Sequence, residues 1–203
     1  MTSDGKRLIA LPMASGNTAF VVPEGVETID SGAFANNTSI KSISLPEGLI
    51  SIGDGAFSWL SSLSEEIVLP ASLKHIGASA FIGYNAASIT LPDGLQSIGA
   101  EAFRESKLTS ISMPDSVNKL DQFVFQGNLS LKEAKLPAGI KALRWGLFDG
   151  CEALRKVVIP TGVTNIDGNV FGGCKDLTIH VPDSLNYIES NAFESLWGES
   201  EPD

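Results

Sequence analysis

Two cysteines in 203 residues are too few for a disulfide framework, and two histidines leave little with which to build a metal site. No stretch approaches the roughly 18 consecutive apolar residues that cross a bilayer. Residues 1–7 lack the apolar stretch and small-residue cleavage site of a secretory signal, so the chain reads either as cytosolic or as a piece from which an export signal was removed. Basic residues are scarce, 14 against 24 acidic, and the formal net charge is −10. Duplex nucleic acid is met first through its phosphates, so an acidic chain without a dense basic stripe is a poor fit for that partner. Signatures of catalysis are missing as well: there is no G-x-S-x-G elbow, no phosphate-binding glycine loop and no H-E-x-x-H pair.

What the chain does have is order. Apolar residues make up 43% and charged residues 19%, enough for a buried core and too apolar for wholesale disorder. Prolines stand at 23, 46, 70, 92, 114, 137, 160 and 182, separated by 22 to 24 residues. Phenylalanines stand at 34, 57, 81, 103, 125, 148, 171 and 193, always eleven beyond the proline. The residue before each proline is apolar (Val22, Leu45, Leu69, Leu91, Met113, Leu136, Ile159, Val181). So is the residue three before it, from Phe20 and Ile43 to Ile179, and the residue six after it, from Ile29 and Ile52 to Ile188. A period of this length marks a repeat architecture, here a solenoid of eight turns.

One turn shows the local physics. From Leu108 to Pro114 apolar and polar residues alternate with a period of two, which is a half-buried strand. Proline ends it, because it has no amide hydrogen to offer a neighbouring strand. The reading is a mostly β arc of eight parallel strands, each of three to five residues, with very little helix. Stacked coils place each phenylalanine on the next, so all eight belong to the core, where Phe→Ala costs about 3–5 kcal/mol. Residues 1–19 are irregular and read as an N-terminal cap, 20–193 as the solenoid, and 194–203 as an acidic C-terminal cap or a truncated repeat. Trp197 is expected to lie across the last turn.

The recurring L-x-x-I-x-L-P-x-G-V-x-x-I-G-x-x-A-F-x-x-C pattern resembles the BspA-like class of leucine-rich repeats. Ile76-Gly77-Ala78-Ser79-Ala80-Phe81 and Ile98-Gly99-Ala100-Glu101-Ala102-Phe103 match its I-G-x-x-A-F core, and Cys151 and Cys174 match the trailing cysteine. Asp30, Asp121, Arg144, Asp167 and Glu189 depart from the I-G glycine, and six turns lack the cysteine. The resemblance implies a right-handed leucine-rich-repeat arc with parallel strands on its concave face. It also implies a secreted or cell-surface bacterial protein used in adhesion.

The remaining polar residues do not converge on a catalytic, cofactor or metal site. His75 and His180 stand about four and a half turns apart, and Glu65 and Glu66 should point opposite ways along a strand. Cys151 and Cys174 share one repeat position, but parallel side chains hold their Cβ atoms near 4.8 Å, wider than a disulfide prefers, so both read as buried free thiols. The sequons at Asn36, Asn37 and Asn128 matter only in a eukaryotic source. Outward strand positions, two and four before each proline, are the informative surface. They include Ser88 and Thr90, Ser110 and Ser112, then Glu133 and Lys135, Lys156 and Val158, Thr178 and His180. Lys132, Lys135, Arg155, Lys156 and Lys175 gather at one end of an otherwise acidic chain. This face reads either as solvated or as a docking surface, with Lys135, Lys156 and His180 supplying charge and Ser88, Thr90, Ser110 and Ser112 supplying hydrogen bonds. The expected function is a monomeric, non-enzymatic module binding a protein or glycoprotein ligand, without nucleic acid, cofactor or membrane insertion. The alternative is a structural spacer within a larger surface protein.

Overall fold

The structure is a computed structural model that describes residues 1–2, 4–10 and 18–194. The expected strand before the proline forms in six of the eight turns, three residues long except for the two of the last, and a second, two-residue strand follows the proline in every turn. In chain order the strands are β1 (Arg7–Leu8), β2 (Ala19–Val21), β3 (Thr28–Ile29), β4 (Ser42–Ser44) and β5 (Ser51–Ile52). Next come β6 (His75–Ile76), β7 (Ser97–Ile98), β8 (Ser110–Ser112), β9 (Lys119–Leu120) and β10 (Glu133–Lys135). The last are β11 (Ala142–Leu143), β12 (Lys156–Val158), β13 (Asn165–Ile166), β14 (Thr178–Ile179) and β15 (Tyr187–Ile188). Every pairing is parallel, between equivalents one turn apart, and the described residues contain no helix.

The pre-proline strands form a pair, β2–β4, and a four-stranded sheet, β8–β10–β12–β14. In turns three and four the equivalent segments around Ile67 and Ile89 are not strands, which corrects the expectation of eight uniform ones. At Ile67 the reason is a change of partner. The Ile67 amide donates to the Tyr84 hydroxyl at 2.9 Å, a side chain standing where a ladder carbonyl would be. The second ladder runs β1–β3–β5–β6–β7–β9 and then, after a break, β11–β13–β15.

The phenylalanine segments build the third wall without being strands. Residues two before and two after each buried phenylalanine take the left-handed conformation, as with Ser79 (φ 52°) and Gly83 (φ 70°) around Phe81. This turns alternate amides toward the next coil: Ser79, Phe81 and Gly83 donate to the carbonyls of Ala100, Ala102 and Arg104, each at 2.8 Å. Inside this wall the phenylalanine rings stack with centroids 5.1 to 6.1 Å apart. Seven of them are 1% exposed or less. The eighth departs from expectation. Phe193 is 54% exposed, because no ninth ring covers it among the described residues.

At the other end Phe20 closes the stack edge-on against Phe34, at 5.3 Å and 72°. Arg7 in β1 holds Asp30 through three hydrogen bonds of 2.8 to 2.9 Å, and Lys6 beside the strand pairs with Glu27 at 2.8 Å. The expectation for Trp197 falls outside the described residues.

Candidate binding face

Alternation along β8, β10 and β12 buries Ile111, Ala134 and Val157 and turns their neighbours outward. Register then fixes who meets whom. Lys135 lies opposite Ser112 on one side and Val158 on the other, and Lys156 lies opposite Glu133 and Thr178. The structure therefore brings Ser110, Ser112, Lys135 and Lys156 onto one sheet, with the two lysines diagonal and Glu133 beside both. His180 is exposed just past β14.

Ser88 and Thr90 sit apart from this sheet. Their hydroxyls donate to Glu66 at 2.7 and 2.9 Å, and these two bonds, the Ser88 one first, hold the Glu66 carboxyl below its usual range. The face is thus acidic and internally bonded at turns three and four. The basic cluster is also smaller than composition suggested. Arg155 pairs with Asp176 at 3.0 Å and Lys175 with Glu152 at 3.3 Å. Lys132, Lys135 and Lys156 form no ion pair among the described residues. His75 lies on the second ladder instead, its Nδ1 2.9 Å from Ser97 Oγ. Among the described residues no three His, Cys, Asp or Glu side chains gather to hold a metal, and no helix is long and apolar enough to cross a membrane.

The BspA-type leucine-rich-repeat region model matches residues 14–126 and 74–197, in six copies. The chain belongs to this family. It is similar to a leucine-rich repeat protein from Bacteroides ovatus, at 29% identity and TM-score 0.82, covering 93% of this chain and 52% of that one. It is also similar to the T. pallidum leucine-rich repeat protein, at 32% identity and TM-score 0.76 over 84% and 81% of the two chains. A Eubacterium ventriosum leucine-rich repeat protein matches at 27% identity and TM-score 0.56, over 95% and 46%. The chain thus spans about half the length of the B. ovatus and E. ventriosum proteins. No curated protein matches it.

The BspA-type signature now has a physical reading. A Cβ on the I-G glycine would strike the preceding turn: 2.7 Å from the Asp54 amide nitrogen at Gly77, and 2.6 Å from that of Ala78 at Gly99. Close approach of backbones, not a left-handed φ, demands glycine there. The trailing cysteine is a small donor. Cys151 Sγ donates to the Phe125 carbonyl at 3.1 Å and Cys174 Sγ to that of Phe148 at 3.3 Å. Asn128, in the same column, serves the Phe103 carbonyl at 2.7 Å, so turns lacking the cysteine can keep its bond. Both cysteines are free, as their register predicted, although Cys174 is only half-buried. Burial pushes both thiols up, Cys174 to about 12.

Proposed function

We propose that this chain is a non-enzymatic interaction module, displayed on a bacterial cell or secreted, that holds a protein or glycoprotein ligand through its pre-proline face in adhesion. The observation that carries this reading is the pair Lys135 and Lys156. They stand exposed on adjacent paired strands and form no ion pair among the described residues, in a chain whose net charge is −10. Ser110, Ser112 and His180 flank them with hydrogen-bonding groups, and exposed Val158 lies between turns as an apolar contact. Membership of a repeat family whose coils present continuous faces supports a binding role, and the resemblance to BspA-like proteins supports the surface setting. No aromatic anchor lies among these residues, so affinity per module is modest and repetition or display supplies avidity.

Lys135→Glu with Lys156→Glu tests it against an immobilised matrix glycoprotein. The double variant should lose attachment with its melting temperature nearly unchanged, and parental attachment should fade as salt rises, since exposed charges are screened within roughly 8 Å at physiological strength. A spacer role has one observation in its favour, the internal bonding of Ser88 and Thr90 to Glu66. It predicts that the double variant binds every partner as well as the parent.

A further inference from the structure

A groove of about 390 Å³ lies on the second ladder, a different wall from the pre-proline face. Its floor is Gly53, Gly77 and Gly99, kept side-chain-free by the close approach of the coils. One wall presents Ser51, His75, Ser97 and Lys119 from β5, β6, β7 and β9; the other includes Asp54 and Ala100, and Asp121 stands near one end. The volume is at the low end for ligand sites, but five turns at ~4.8 Å spacing make the groove roughly 20 Å long. It suits an extended chain of small units better than one compact molecule.

The chemistry narrows the occupant. Added strands are excluded because the floor amides are already used: Gly53, Gly77 and Gly99 donate to the carbonyls of Ile29, Ile52 and Ile76 at 2.8 to 2.9 Å. A polyanion would meet Asp54, Asp121 and a chain of net charge −10. Within the groove two carboxylates face the single ammonium of Lys119, and both carboxylates are partly spent. Asp54 accepts from the Ala78 amide at 2.8 Å, Asp121 from the Gln122 amide at 2.9 Å, and Lys119 is two residues from Asp121. Hydroxyls, an imidazole, an ammonium and carboxylate oxygens remain, donors and acceptors side by side with an excess of one negative charge. That set complements a neutral ligand rich in hydroxyls.

An aromatic ring extends the same column of residues. After Asp54 and Ala100 it continues through Gln122 to Trp145, since equivalent residues follow turn by turn. The six-membered ring of Trp145 packs on Gly168, where a Cβ would come 2.6 Å from Cζ3 and 2.7 Å from Cη2. Trp145 nevertheless remains 38% exposed. A ring held against glycine on one side offers its other side to the C–H face of a sugar. We propose that the second-ladder groove binds a neutral oligosaccharide lying along the solenoid axis, with Trp145 stacking on a sugar beyond the groove's end.

Calorimetric titration of the full chain with neutral hexamers of glucose, xylose, mannose and N-acetylglucosamine, beside a hyaluronan hexasaccharide, tests this. At least one neutral hexamer should bind saturably and hyaluronan should not. Ala100→Arg fills the groove at a position where other turns carry Gln122 and Trp145, so it should fold normally and weaken binding about tenfold or more. Trp145→Ala should weaken it too, while Lys135→Glu with Lys156→Glu should leave it unchanged, which separates this site from the pre-proline face. Binding of hyaluronan in preference, no binding of any neutral hexamer, or binding that survives Ala100→Arg would overturn the proposal.

Discussion

Phe103 lies between Phe81 and Phe125, with ring centroids 5.3 and 5.8 Å away, and has no exposed surface. Truncation there leaves a hole that neighbouring coils cannot close, so Phe103→Ala should cost about 3–5 kcal/mol in denaturant unfolding. Phe193→Ala should cost far less, because that ring is half exposed and has one stacked neighbour among the described residues. Equal costs would mean that the stack does not hold the coils together. Glu105 sits at φ 54°, a conformation that costs a residue bearing Cβ about 1–2 kcal/mol. Glu105→Gly should therefore be neutral or stabilising in the same assay, despite losing the Arg104 ion pair. The thiols give a pH dependence. Their folded values are raised above the unfolded ~8.5, so their contribution is complete below that pH and falls as pH rises toward about 12 for Cys174. Cys174→Ser should flatten the alkaline loss of stability, and denatured, unreduced protein should alkylate at two thiols. At this scale the phenylalanine column was legible because one residue type repeats. The left-handed positions were not, since Gly32, Asn36, Trp59, Ser79, Glu101 and Phe123 share no chemistry, and the inter-coil bonds override their local preferences.

Strand existence was readable from alternation, but strand length and continuity depend on neighbours one turn away. The pre-proline ladder breaks at turns three and four, where the second ladder continues through β5, β6 and β7. The second ladder breaks between β9 and β11, where the pre-proline sheet continues through β8 and β10. The two breaks are offset, so no level of the solenoid loses both ladders at once. Native-state hydrogen exchange should show the consequence. Among the described residues no backbone carbonyl accepts from the amides of residues 86–89, which should exchange much faster than those in β10 and β12. Uniform protection along the pre-proline segments would contradict the break. Tyr84→Phe should expose its role: removing the hydroxyl strands the buried Ile67 amide, at a cost of about 1–3 kcal/mol. Nothing in the columns foretold this, because Tyr84 occupies the position that elsewhere holds Cys151 or Asn128 and only its length lets it reach the Ile67 amide.

For the whole molecule, the eight-turn solenoid followed from the spacing of prolines and phenylalanines, whereas the candidate face was only half legible. Alternation put Ser110, Ser112, Lys135 and Lys156 outward, and they are. It gave no hint that Arg155 and Lys175 are neutralised by acids one turn away, since such pairs depend on how long side chains lean between coils. Glu66 likewise draws in Ser88 and Thr90 through hydroxyl geometry that periodicity does not encode. Adhesive attachment is proposed to reside in the C-terminal half of the pre-proline face rather than along the whole of that face. A glutamate scan tests it most directly, placing Glu singly at Val21, Ser44, Val68, Thr90, Ser112, Lys135, Val158 and His180 and measuring attachment to one immobilised matrix glycoprotein. Loss confined to Ser112, Lys135, Val158 and His180, with thermal stability preserved, is the expected result; tolerance at all eight positions, or loss confined to the first four, would contradict it.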